Sequence, residues 1–147
     1  AVSDLKFNYI TIHISSGLNA LKAAKKKAGK TKLIGVSVLT SLDRKTLEEI
    51  GHNQTVKKIV KQHAKLASKA NLDAIVCSAR EVKDVRKIFK KEIITPGIRF
   101  KNNFDDQKRV MTPKEAFKNG SDWIVIGRPI TKGNIKNNIK KLIDHLK

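Results

Sequence analysis

A chain of 147 residues with 39% hydrophobic content fits one globular domain and excludes a disordered polypeptide. It has no run of about 18 apolar residues and no basic leader followed by an apolar stretch, so neither a membrane span nor a secretory signal is expected. The formal charge of +19 would suit a phosphate-rich partner, but the lysines that dominate it are spread along the chain and the 5% of aromatic residues offer no stacking platform, so a nucleic-acid role is disfavoured.

Strand and helix signals alternate from the start. Residues 8–14 (NYITIHI) are β-branched and aromatic and read as a strand. Residues 17–28 read as a helix with Leu18, Leu21 and Ala24 on one face; its run Lys25-Lys26-Lys27 falls on the polar side. Residues 33–39 (LIGVSVL) form a short apolar run typical of a strand buried on both faces. A helical turn over 45–50 precedes the clearest helix, 54–70, where Val56, Ile59, Val60, His63, Leu66, Ala67 and Ala70 keep a 3–4 spacing. Residues 72–77 (LDAIVC) predict a buried strand, 79–90 a helix with Val82, Val85, Ile88 and Phe89 inward, and 92–95 a short strand. Thr112-Pro113-Lys114-Glu115 combines an N-cap, a first-turn proline and a capping-box glutamate, predicting a helix over 113–118. Residues 121–126 (SDWIVI) read as a strand. A last helix near 134–146 places Ile135, Ile139, Leu142, Ile143 and Leu146 inward.

Five β-α units with short connections argue for an α/β fold with a parallel sheet. An open doubly wound sheet and a closed barrel both qualify. No G-x-G-x-x-G follows the first strand, which counts against a dinucleotide-binding sheet.

In such folds the working residues follow the C-terminal ends of strands. Two of those ends, Thr95-Pro96-Gly97-Ile98-Arg99 and Ile126-Gly127-Arg128-Pro129-Ile130-Thr131, join a glycine to an arginine. Glycine lets backbone approach an anion closely, and the guanidinium offers a fork of donors. That pairing suits a phosphate.

These segments, with Asp106-Gln107-Lys108-Arg109-Val110-Met111-Thr112-Pro113 between them, resemble the signature tail of the orotidine 5′-phosphate decarboxylase family. Val36-Ser37-Val38-Leu39-Thr40-Ser41 and Ile75-Val76-Cys77-Ser78-Ala79 resemble its middle strands. The resemblance implies part of a TIM (β/α)₈ barrel, strands four to eight, and residues 1–147 as a single incomplete barrel domain. It implies a homodimeric cytoplasmic enzyme that converts orotidine 5′-phosphate to UMP with no metal or cofactor. By position, Gly127 and Arg128 match the phosphate ligands after the eighth strand and Gln107 a lid residue that reaches the phosphate. Arg99 matches the arginine ending the seventh strand, and Thr40 a substrate contact after the fifth.

The sequence also departs from the family. The resemblance implies a catalytic Asp-x-Lys-x-x-Asp motif after the third strand, whose lysine protonates the carbon that loses carbon dioxide. Asp4-Leu5-Lys6 fails as that motif, because Tyr9 stands where the second aspartate belongs. Phe100-Lys101-Asn102-Asn103 replaces the usual proline and glycine of the lid. The expected partners are therefore orotidine 5′-phosphate or UMP, and either a second copy or a complementing N-terminal fragment; no membrane is expected. A non-catalytic phosphate-binding remnant is the alternative, with a basic nucleic-acid-associated protein a less favoured one.

The remaining candidates read as structural. His63 lies on an apolar helix face, and His52 and His145 lack metal-ligand neighbours at the right spacing. Cys77 and Trp123 read as packing residues and Lys132 as solvated. With one cysteine no internal disulfide can form, which fits a reducing compartment.

Overall fold

The structure, a computed structural model, describes residues 5–100 and 111–147. Strand β1 (Tyr9–His13) runs through a 3-10 turn (Ile14–Ser16) into α1 (Leu18–Lys27). Then come β2 (Lys32–Val36), α2 (Arg44–Glu49), α3 (Val56–Lys69), β3 (Ala74–Val76), α4 (Val82–Ile88) and β4 (Glu92–Thr95). The chain ends with α5 (Pro113–Lys118), β5 (Trp123–Ile124), α6 (Arg128–Thr131) and α7 (Ile135–Leu146).

All strand pairs are parallel, and the spatial order is β1-β2-β3-β4-β5. That order decides between the two architectures. Right-handed crossovers that always advance in one direction place every helix on the same face of the sheet. A doubly wound sheet must reverse direction; this one does not.

The helix-facing side of the sheet is apolar by register. Ile12 pairs with Gly35, Gly35 with Ile75, and Ile75 with Ile93. Against this row pack Ile14, Leu21, Ile59, Val60, Ala64, Val82, Val85 and Phe89, all buried. Gly35 marks the tightest point. A Cβ there would lie 2.7 Å from Leu72 Cδ1 and 2.9 Å from Ile14 Cδ1. Overfilling a packed core costs about 1–3 kcal/mol. Gly35→Val is expected to lower the urea midpoint by that amount of stability; an unchanged midpoint would show that the layer yields freely.

Local chemistry fixes the helix starts. Asp43 caps α2 by accepting from Thr46 N–H at 3.0 Å, and Asn134 caps α7 by accepting from Asn137 N–H at 3.0 Å. The predicted capping box at α5 is present: Thr112 Oγ1 accepts from Glu115 N–H, and the Glu115 carboxylate accepts from Thr112 N–H at 2.9 Å. The Thr112 N–H and the Thr112 hydroxyl, which donates to the same carboxylate at 2.7 Å, hold the Glu115 carboxyl below its usual range.

The opposite face carries a polar cluster at the N-terminal ends of the strands. Glu92 accepts from Lys32 Nζ at 2.8 Å, Trp123 Nε1 at 3.0 Å and Tyr9 O–H at 3.2 Å. Trp123 and Tyr9 come from the two edge strands, so one carboxylate ties both edges together. This corrects the reading of Trp123 as a packing residue: the residue is 57% exposed and its indole N–H carries the contact. The Lys32 hydrogen bond, then its charge and the other donors, hold Glu92 below the ordinary carboxylate range. A depressed carboxyl pKa stabilises the fold above the unfolded value near 4.5, and that stability is lost as the pH falls through the folded value. The fall in urea midpoint between pH 7 and pH 3 is therefore expected to be shallower in Glu92→Gln than in the wild type. Equal slopes would remove Glu92 from the account.

Three expectations about elements need correction. The strands predicted over 33–39, 72–77 and 121–126 are shorter, at 32–36, 74–76 and 123–124. At the start of the last, the Ser121 hydroxyl bonds Thr95 Oγ1 at 2.7 Å and Trp123 O at 2.7 Å, a side-chain tie beside the backbone bonds to β4. The Gly127-Arg128-Pro129 segment, read as loop, starts the short helix α6, since proline is tolerated in a first turn. Finally, the stripe of α7 does not face inward. Ile135, Ile139, Ile143 and Leu146 are exposed. The helix leans on α5 and α6, and no described strand lies beyond β5 to receive its apolar face.

Candidate phosphate-binding site

Strands β4 and β5 are neighbours, joined at Ile94↔Trp123 and Thr95↔Ile124. The loops that leave their C-terminal ends therefore start side by side, with Val125 N–H donating to Thr95 O at 2.9 Å. Gly97 turns the first loop with φ +79°, a conformation that favours glycine. Arg99 follows two residues later. Its N–H donates to Met111 O at 3.1 Å, and Ile98 and Met111 form a parallel bridge. The two ends of the segment between them are thus pinned together. Arg99 Nη1 also donates to the carbonyl of Ile98 at 3.0 Å, and the side chain is half-buried.

Beneath this bridge lies a small second core. Ile98, Ala79 and Ala116 are fully buried, with Met111, Ile124 and Ile126 around them. Asn119 Nδ2 donates to Ala79 O at 3.3 Å and so ties α5 to the loop after β3. The bases of three neighbouring loops share this packing, which gives any ligand above them a rigid floor.

The second loop leaves β5 at Val125. Gly127 is the N-cap residue of α6, with φ −92° and ψ −107°, and nothing lies within 4 Å of where a Cβ would sit. Its carbonyl accepts from Ile130 N–H at 2.8 Å and Thr131 N–H at 3.1 Å. Arg128, the first residue of α6, is exposed. Asn138 of α7 anchors the turn by donating to Ile130 O at 3.0 Å and Lys132 O at 2.7 Å. Arg99, Gly127 and Arg128 therefore lie on loops that leave adjacent strands at the same end of the sheet.

Thr40 lies elsewhere along the same rim. It is buried in the loop after β2, with β3 between it and the arginine loops. Gln107 lies outside the described residues, as do Lys101, Asn102 and Asn103 of the lid segment. Among the described residues no group of three metal-ligating side chains occurs. No helix among them is long and apolar enough to cross a membrane.

Two contacts near the rim had no signal in the sequence. Ser37, just past β2, meets His63 Nδ1 with its hydroxyl at 3.3 Å. Burial, with the nearby charge of His52, lowers the His63 pKa and favours the neutral ring. His145 Nε2 lies 3.0 Å from Phe100 O, and the two rings meet at a 50° tilt with centroids 5.2 Å apart, which links α7 to the start of the lid segment. Each pair is separated by at least 26 residues, beyond the reach of local periodicity.

Residues 1–141 match the orotidine 5′-phosphate decarboxylase / HUMPS family. The chain belongs to that family. An orotidine 5′-phosphate decarboxylase of the Wolbachia of Brugia malayi is 49% identical over 97% of this chain and 65% of its own length. That of Coxiella burnetii is 46% identical over 90% of this chain and 60% of its own. Among solved structures, the Lactobacillus acidophilus orotidine 5′-phosphate decarboxylase superposes with a TM-score of 0.81 at 30% identity, covering 99% of this chain and 66% of that one. The Methanocaldococcus jannaschii enzyme, complexed with the inhibitor BMP, gives a TM-score of 0.69 at 22% identity, a likeness of fold. The chain spans less than two thirds of the length of each of these relatives. The five-stranded sheet is thus part of a TIM barrel, as the sequential strand order requires.

Proposed function

We propose that this chain supplies the phosphate-binding side of an orotidine 5′-phosphate decarboxylase of UMP biosynthesis, acting in the cytoplasm without metal or cofactor. Residues 1–147 form one unit, corresponding to barrel strands four to eight. The carrying observation is that Arg99 and Arg128 stand on loops leaving adjacent strands over one packed floor. Two arginines on neighbouring strand ends, each close in sequence to a glycine, suit a dianionic phosphate, since charge-assisted bonds are about twice as strong as neutral ones. Gln107 adds a neutral donor from the segment between Ile98 and Met111, and Thr40 contacts the nucleoside portion from the loop after β2. The catalytic lysine and its aspartates come from another polypeptide segment; a second copy of the chain, which lacks them too, serves only as a dimer partner.

NMR titration with UMP and with inorganic phosphate tests this reading. Arg128→Ala is expected to cost about 1.5–3 kcal/mol in UMP affinity, the range for a hydrogen bond to a charged group. Gln107→Ala should cost less, about 0.5–1.5 kcal/mol. Equal UMP affinity in wild type and Arg128→Ala would leave a family likeness with no retained site. Binding of phosphate with no turnover under any complementation would favour a non-catalytic phosphate-binding remnant.

A further inference from the structure

Helix α3 sends one polar side chain toward the sheet on an otherwise apolar face. His63 is half-buried, between buried Ile59, Val60, Ala64 and Ala67 on neighbouring turns. Its partner, Ser37, is 6% exposed and is the first residue beyond β2. The Ser37 N–H donates to Val76 O at 3.1 Å, continuing the ladder one step past the strand, while the hydroxyl meets His63 Nδ1 at 3.3 Å.

From that point the chain turns toward the rim. Val38 packs in the core, Leu39 swings out, and Leu42 N–H closes a turn on Leu39 O at 3.1 Å. Thr40 lies inside this turn and is buried. The path of Thr40 is therefore fixed on one side by the Leu39–Leu42 turn and on the other by Ser37.

We propose that His63 is a positioning residue: acting through the Ser37 hydroxyl, it holds the start of the β2 loop and so sets where Thr40 stands on the rim. The proposal rests on the reading of Thr40 as a substrate contact. The chemistry favours a neutral imidazole. With the proton on Nε2, Nδ1 accepts from the Ser37 O–H, and a buried hydroxyl keeps a partner that an apolar residue could not provide. The lowered His63 pKa keeps the ring in that form near neutrality. A histidine that merely filled space would be replaceable by any side chain of similar volume; a positioning histidine requires an acceptor near Nδ1.

The test uses the full chain and two readouts. Hydrogen exchange is followed at the Ser37 and Leu42 amides, with Cys77 N–H (to Ile94 O) and Val125 N–H as controls at the ends of neighbouring strands. UMP affinity is measured in parallel by NMR titration. His63→Leu and Ser37→Ala are each expected to speed exchange at Ser37 and Leu42 by about tenfold, the equivalent of one ordinary hydrogen bond, with the controls unchanged. The double variant should be no worse than either single one, because both remove the same contact. His63→Asn, which keeps a polar atom near the Nδ1 position, should restore wild-type exchange. UMP affinity should fall in the two single variants and recover in His63→Asn. Unchanged exchange at Ser37 and Leu42 in His63→Leu, or faster exchange at the controls as well, overturns the proposal. Faster exchange confined to the loop with UMP affinity unaltered would uphold the positioning and overturn only the role of Thr40.

Discussion

Residues 1–147, purified and incubated with orotidine 5′-phosphate, are expected to release no carbon dioxide above the uncatalysed background. Decarboxylation leaves electron density on a carbon that must be protonated, so a general acid has to stand within about 3 Å of it. The family resemblance gives that task to the lysine of an Asp-x-Lys-x-x-Asp motif, and none occurs in these 147 residues. Lys6 cannot replace it. It precedes β1, so it lies at the N-terminal ends of the strands, whereas Arg99 and Arg128 follow the C-terminal ends. At about 3.3 Å per residue, a five-residue strand such as β1 separates the two ends by roughly 16 Å. Lys32 and Glu92 share the wrong end, and their charges are spent on each other. A positioned acid alone is worth about 10²–10⁴-fold, before the aspartates are counted. Release of labelled carbon dioxide decides the matter. Turnover by the isolated chain that disappears in Arg128→Ala would show that a proton donor exists among these residues after all. Adding a polypeptide that carries the motif is expected to restore turnover.

Much of the fold was legible where local chemistry decides it. β4 lies where the short run Glu92–Thr95 placed it, and α5 starts at the Thr112-Pro113 signal because capping box and proline act within one turn. The helical identity of α7 was legible from its 3–4 spacing; its orientation was not, because the direction of an apolar stripe depends on what lies beyond β5. Strand ends were misjudged for a related reason. Val38 is as apolar as Leu33, yet it leaves the ladder to pack elsewhere in the core. At the candidate site, the motif located Arg99, Gly127 and Arg128 on neighbouring loops. It could not foresee that Arg128 begins a helical turn tied down by Asn138, or that Trp123 serves Glu92. Those contacts join residues distant in sequence through hydrogen bonds, which no pattern of hydrophobicity records.

In gel filtration the chain is expected to elute larger than a compact monomer of its mass, and increasingly so as salt is raised. Ile135, Ile139, Ile143 and Leu146 follow one stripe of α7 and are each between 43% and 51% exposed. Val125, just past β5, is 53% exposed, and among the described residues no strand pairs with the outer edge of β1 or β5. Fully burying a side chain of this size is worth about 1.5–3 kcal/mol, so half-exposed ones leave roughly 1 kcal/mol each unrealised. Apolar patches of this kind and open parallel edges mark surfaces that associate. The formal charge of +19 opposes the association of like chains, and salt screens that repulsion within about 10 Å at 0.1 M. Salt should therefore strengthen self-association. It would do the opposite to binding of nucleic acid, which weakens steeply as counterions are added. The double variant Ile139→Ser/Ile143→Ser removes the centre of the stripe without touching Asn138, which anchors α6, and should shift the elution toward the monomer. Light scattering that finds a cooperatively unfolding monomer at every salt concentration would defeat the expectation, and an apparent mass that falls as salt rises would return attention to nucleic acid as the partner of this basic chain.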